Sequence, residues 1–226
     1  MNSAETLDSS EDPQRLRRAL RVSIAFAAVL WVVKLSELLL GFDLVEYGVY
    51  PHRLSGLFGI LTAPFIHASL AHLVSNTVPI IILGTALLYG YPQAARIALP
   101  VIFLGTGLGV WLFGRESYHI GASGLTFGMM FFVFAIGVVR WDRRAIALSL
   151  IVFFLYGGMV WGVFPGDPQI SYESHLFGAL LGVALAVLLR KLDPERVPKR
   201  YSWEDEADEP RTEEEERAAA PTREDS

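Results

Sequence analysis

The chain of 226 residues contains no cysteine, which excludes a disulfide framework, a thiol nucleophile and thiolate metal ligands. Charge is scarce through most of its length. Between positions 22 and 189 the charged residues are only Lys34, Glu37, Asp43, Glu46, Arg53, Arg96, Arg115, Glu116, Arg140, Asp142, Arg143, Arg144, Asp167 and Glu173. The formal net charge of -5 therefore describes the ends and not the body. Internal repeats are also missing. Apolar side chains are abundant: 52% of residues are hydrophobic, and mean hydropathy is +0.39. A soluble domain carries charge on about a quarter of its residues, so bilayer segments are the first thing to look for.

Long apolar stretches occupy about 22–40, 69–90, 97–113, 121–139, 145–163 and 174–189. Each is close to the roughly 17–25 residues that a helix needs to cross a hydrocarbon core, so the sequence predicts an all-α polytopic membrane protein of six transmembrane helices. Arg15, Arg17, Arg18 and Arg21 before the first stretch resemble the basic region of a secretory signal. Against that reading, Lys34 and Glu37 interrupt the apolar run and no small-x-small cleavage pattern follows Leu40.

Orientation follows from the basic residues near span ends. Arg15, Arg17, Arg18, Arg21, Arg96, Arg140, Arg143, Arg144, Arg190, Lys191, Arg196, Lys199 and Arg200 fall on one set of ends, and only Arg53 and Arg115 on the other. Both termini are expected to be cytoplasmic, with 41–68, 114–120 and 164–173 outside. The division expected is a polar N-terminal segment at 1–20, a six-helix domain at 21–192 and an acidic tail at 193–226. The tail holds Glu204, Asp205, Glu206, Asp208, Glu209 and the run Glu213–Glu216. It is too polar to offset the entropy of ordering and reads as disordered, a solvated arm on which a binding partner could dock. The loop 41–68 differs, because Tyr47, Tyr50, Leu54, Leu57, Phe58, Ile60, Leu61 and Phe65 suit a segment half-sunk in the outer leaflet.

Strongly polar side chains inside apolar spans cost free energy and need partners or a task. Lys34 and Glu37 are three apart on one helix face and are expected to pair. His67, His72 and Asn76 sit at or in the second span, Ser123 at the start of the fourth, and Glu173 and His175 at the start of the sixth. All three spans enter from the outside, so His72 and Asn76, Ser123 and His175 share one depth. A metal site would have only His72, His175 and Glu173 to draw on, and none is expected. Gly105-x-Gly107-x-Gly109 lies mid-span without the Lys or Ser/Thr of a phosphate loop, and reads as helix packing.

Nucleophilic catalysis fits these residues. A serine hydroxyl needs a base in hydrogen-bond reach, and an imidazole supplies one near neutrality. Gly121 and Gly124 flank Ser123, allowing a tight loop-to-helix turn whose unsatisfied N–H groups point at a developing oxyanion. His72 and Asn76, at i and i+4, can add side-chain donors. Gly178 and Gly182 follow His175 on its own face, so the sixth helix can approach the fourth closely. Phe127, four residues after Ser123, can stack on His175. His67 is expected to support the outer end of the second span, His119 to face water in the short third loop, and Glu173 to be solvated or structural.

His67-x-x-x-x-His72-x-x-x-Asn76, Gly121-x-Ser123-Gly124 and His175-x-x-Gly178-x-x-x-Gly182 fall in order on spans two, four and six. With these motifs the chain, over roughly 43–190, resembles the rhomboid intramembrane serine proteases of the basic six-helix bacterial form. The resemblance implies a Ser123–His175 dyad without a third carboxylate, and an oxyanion hole from the Ser123 N–H with His72 and Asn76. It also implies a first loop partly embedded at 42–66. The substrates it implies are single-pass transmembrane proteins with helix-destabilising Gly or Pro and a small residue before the cut, hydrolysed at or just below the outer face of a cytoplasmic membrane. It calls for the lipid bilayer as surroundings, for no cofactor and for no nucleic acid. The family often has Tyr where Phe127 stands and a Trp-Arg pair where His52-Arg53 is the nearest equivalent. Two rival readings are a rhomboid-like protein that binds clients without cutting them, which normally lacks the serine or the histidine, and a small transporter, for which repeats and broken helices would be expected.

Overall fold

Capping and corner residues set the helix boundaries of the computed structural model, which describes residues 11–193, all within one compact unit. Helix α1 runs Glu11–Leu40 and is followed by a long loop with 3-10 turns at Val45–Tyr47, Leu54–Leu57 and Ala63–Phe65 around the single-turn helix α2, Gly59–Thr62. Helix α3, Leu70–Gly90, starts where Ser69 Oγ accepts from the His72 N–H at 3.1 Å. Tyr91 alone separates it from α4, Pro92–Phe113, whose proline occupies a first-turn position that needs no N–H bond. Helix α5 is Ser123–Arg140, ending at a left-handed Trp141. Helix α6, Arg143–Tyr156, begins under an Asp142 cap and passes into a 3-10 stretch at Gly157–Val163. Helix α7 is Tyr172–Leu189, capped by Ser171.

Six of these segments are long and apolar enough to cross a membrane: Pro13–Leu40, Leu70–Gly90, Pro92–Phe113, Ser123–Arg140, Ala145–Val163 and Tyr172–Leu189. Among the described residues the architecture is an all-helical bundle, with a single isolated bridge between Val49 and His119 as its only extended pairing. Three boundaries differ from the sequence reading. The first helix takes in residues 11–20, expected as a polar segment outside the span, because Arg and Leu are good helix formers and the buried Ala19 lies one turn before the buried Ser23. The third span begins at Pro92 and not 97. The segment 145–163 is α-helical only to Tyr156, where a Gly157-Gly158 pair loosens it into the 3-10 stretch.

The acidic tail was expected from 193, yet Asp193 is buried and works as a cap. Its carboxylate accepts from the N–H groups of Gln93 at 3.0 Å and Ala94 at 2.9 Å, satisfying the N-terminus of α4 from a hundred residues away. The Asp193 carbonyl accepts from the Arg140 guanidinium, whose Nε also pairs with Asp142 at 2.7 Å. The expectation of disorder for the rest of the tail lies outside the described residues.

Helix α5 is the most enclosed of the six spans and packs chiefly on α7, while α6 is the least enclosed. Glycines make the α5–α7 contact backbone on backbone. A methyl group on Gly178 would run into the carbonyl oxygen of Gly124, and one on Gly182 into that of Gly128. Leu83, Leu87, Ile102, Met129 and Phe132 fill the core around α5. Within α1, Lys34 Nζ pairs with Glu37 at 2.9 Å, both buried, and reaches the Ala68 carbonyl at 3.5 Å. The loop 41–69 has two sides: Val49, Ala63 and Ile66 are buried against the bundle, while Tyr47, Leu54, Leu57, Phe58 and Leu61 face outward.

Candidate active site

Ser123 opens α5 directly after a tight turn at Gly121. Gly121 has φ +104°, a left-handed conformation that favours glycine, and a Cβ there would lie 2.6 Å from the His72 ring. The first turn of α5 therefore meets the first turn of α3 with nothing between them. Ser123 Oγ lies 2.8 Å from His175 Nε2, and His175 Nδ1 lies 2.9 Å from the carbonyl oxygen of Gly162. A carbonyl only accepts, so Nδ1 carries the hydrogen and Nε2 presents its lone pair to the serine hydroxyl. The Phe127 ring lies parallel to the imidazole at 4.0 Å and 5°. His175 is 8% exposed and Phe127 3%. Gly162 is small for a reason, since a side chain there would press on both the Phe127 and His175 rings.

His72 and Asn76 lie on the neighbouring helix. Asn76 is buried and its Nδ2 donates to the His72 carbonyl at 2.9 Å, one turn back. That bond uses one of its two amide hydrogens and leaves the other. His67 is buried at the mouth of α3, edge-on to the His72 ring at 5.0 Å, and neither of its ring nitrogens has a hydrogen-bond partner. Burial, reinforced by the nearby His72, pushes His67 down to about 4, so it is neutral at physiological pH. Its place is that of a packed ring behind His72.

His119 corrects the expectation of a water-facing residue: it is 2% exposed, because the loop after α1 folds over it. Its backbone pairs with Val49 and its ring reaches Ser171 Oγ at 2.7 Å and the Arg115 carbonyl at 3.0 Å. Glu173 is buried rather than solvated. Its Oε1 accepts from the Arg115 N–H at 3.3 Å and faces the Arg115 guanidinium at 3.7 Å. The group that orients His175 is thus the Gly162 carbonyl and not this carboxylate. Sequence reasoning missed Gly162, Arg115 and Ser171. Only Ser171 left a signal, as a serine three residues before another polar residue at a helix start. Among the described residues no group of three His, Asp or Glu side chains could hold a metal ion.

The arrangement places the Ser123 hydroxyl at a helix N-terminus within hydrogen-bond distance of an imidazole, with amide donors alongside. Comparison with known proteins shows the family. A family model described as the Rhomboid domain matches residues 55–192. An uncharacterized protein of Mycobacterium tuberculosis is 38% identical over 185 residues, covering 76% of this chain and 75% of its own length. An Arabidopsis thaliana protein named Rhomboid-like protein 11, chloroplastic, is 31% identical over 162 residues, 62% of this chain and 55% of the relative. Another from that plant, RHOMBOID-like protein 2, is 28% identical over 152 residues, 64% of this chain and 44% of the relative. With six apolar helices and a domain match over most of its bundle, the chain is a multi-pass membrane protein of the rhomboid family.

Proposed function

We propose that this protein is an intramembrane serine endopeptidase that cleaves transmembrane segments of other membrane proteins. The observation that carries the reading is the 2.8 Å contact between Ser123 Oγ and an imidazole whose other nitrogen is committed to Gly162. In this mechanism Ser123 Oγ attacks the scissile carbonyl carbon as its proton passes to His175 Nε2. The tetrahedral oxyanion is met by the Ser123 N–H, with His72 and Asn76 as further donors. The imidazolium then returns its proton to the leaving amine as the C–N bond breaks, leaving an ester on Ser123. Water, deprotonated by the same imidazole, hydrolyses that ester and restores the serine.

A membrane helix hides its carbonyls in hydrogen bonds, so a substrate has to unwind before it can be attacked. Single-pass proteins whose helices carry Gly or Pro near one end meet that requirement. In this reading both termini are cytoplasmic and the site lies near the outer face of a cytoplasmic membrane, which the distribution of basic residues supports. The acidic tail remains a candidate arm for a partner. Supporting roles fall to Phe127, which fixes the imidazole plane, to Gly121, Gly124 and Gly178, which allow close approach, and to His67 behind His72.

The test is labelling of the detergent-purified protein with a fluorophosphonate, beside Ser123→Ala and His175→Ala. Labelling that falls by about 10³-fold or more in both variants, with folding intact, is the expected outcome. Folded wild type that does not label would favour a client-binding protein without proteolysis.

A further inference from the structure

The turn that carries His175 is organised by a second imidazole. His119 lies four residues before Ser123 and its backbone bonds Val49 both ways, at 3.0 and 2.9 Å. Its Nε2 lies 3.0 Å from the Arg115 carbonyl, which can only accept, so the neutral ring carries its hydrogen there. Nδ1 is left as an acceptor, 2.7 Å from Ser171 Oγ. The Ser171 hydroxyl must then donate to Nδ1. Its oxygen in turn receives the Ser174 hydroxyl at 2.8 Å and the Ser174 N–H at 3.3 Å. The last bond is the N-cap of α7, and the Ser171 carbonyl accepts from the His175 N–H at 3.4 Å. One ring nitrogen thus sets the direction of the hydrogen bonds in the first turn of α7.

The charged groups facing His119 are Glu173 from α7 and Arg115 from its own loop; the loop after α1 meets it with the Val49 backbone. Arg115 is itself held by the Pro168 and Ile170 carbonyls at 2.8 and 2.7 Å. Burial keeps His119 below the ordinary imidazole pKa, against the opposing pull of the Arg115 carbonyl and Glu173. Protonation would turn Nδ1 into a donor and force the Ser171 hydroxyl to reverse. The Glu173 Oε2 atom, 3.9 Å away and without a hydrogen-bond partner, would be an acceptor for the new proton.

We propose that His119 is a positioning residue for His175: its Nδ1 lone pair orients Ser171, which caps α7 and holds the dyad imidazole at Ser123. The inference rests on the dyad reading above, and its test separates the two. Histidine-selective nitrogen NMR of the full chain in detergent resolves only five imidazoles, with His175→Asn assigning one and His119→Asn another. Wild type is expected to show His119 protonated at Nε2. His119→Phe is expected to shift the His175 resonances and slow Ser123-dependent fluorophosphonate labelling by about tenfold or more. His119→Asn, whose Oδ1 can accept from Ser171 in place of Nδ1, should recover most of the rate, which lost packing alone would not explain. Ser171→Ala provides the same readout should the Phe variant fail to fold. Shifted His175 resonances in a wild-type background that never labels at Ser123 would support the positioning role and defeat the dyad reading. His175 resonances unmoved in both His119→Phe and Ser171→Ala, or an Asn variant as slow as the Phe variant, would overturn the positioning role.

Discussion

His175 Nδ1 donates to the Gly162 carbonyl at 2.9 Å, so the stretch after α6 decides which nitrogen of an α7 histidine faces Ser123. In the proposed mechanism His175 can act as base only while Nε2 is unprotonated. Peptidase or labelling activity should therefore be full at neutral pH and fall on acidification, as Nε2 takes up a proton. A rate that does not fall at any acid pH at which the protein stays folded, with chemistry limiting, would contradict an imidazole base.

His67 makes a separate prediction about stability. Its folded pKa of about 4 lies below that of an unfolded histidine, so the unfolded state binds more protons between those values. Its contribution is whole above about 6.5 and is lost as pH falls toward 4, by up to about 3 kcal/mol. The melting temperature in detergent should decline over that window, and His67→Phe should flatten the decline. A wild type and variant with parallel pH curves would refute this account.

Close approach of α5 and α7 depends on Gly178. Alanine there would press its methyl on the Gly124 carbonyl, one residue after Ser123. Overpacking of this kind costs about 1–3 kcal/mol, and the shift should also separate Ser123 from His175. Gly178→Ala is thus expected to lower both the thermal midpoint and the labelling rate. Gly166, which a Cβ would leave in open space, provides the control, and Gly166→Ala should change neither.

At the opposite end of the bundle, Asp193→Ala should remove the cap of α4 and cost about 1 kcal/mol. Asp193→Asn keeps one acceptor oxygen and should lose less. Thermal melts of both variants check the order, and because this end is remote from the dyad, the labelling rate should hold.

The legible parts of the sequence were those written in local pattern. Apolar runs of membrane length marked the spans, and the spacing of His72 to Asn76, of Ser123 to Phe127 and of His175 to Gly178 marked residues that share a helix face. Illegible were the contacts made by groups without a signature. The Gly162 carbonyl looks like any other backbone oxygen, and Asp193 sits in what reads as the start of an acidic tail. His119, in a short polar loop, could be called exposed until the loop after α1 was seen to fold across it.

Hydropathy and helical period were enough to establish a six-helix membrane bundle with its strongly polar residues gathered at one depth, because both are properties of consecutive residues. Which hydroxyl meets which nitrogen was decided by packing. Glycines on two helices let backbones touch, a carbonyl from a third segment chose the tautomer, and a histidine four residues before Ser123 reached across to the serine that caps the helix of His175. Those choices depend on distances between segments far apart in the chain, and only the folded bundle sets them.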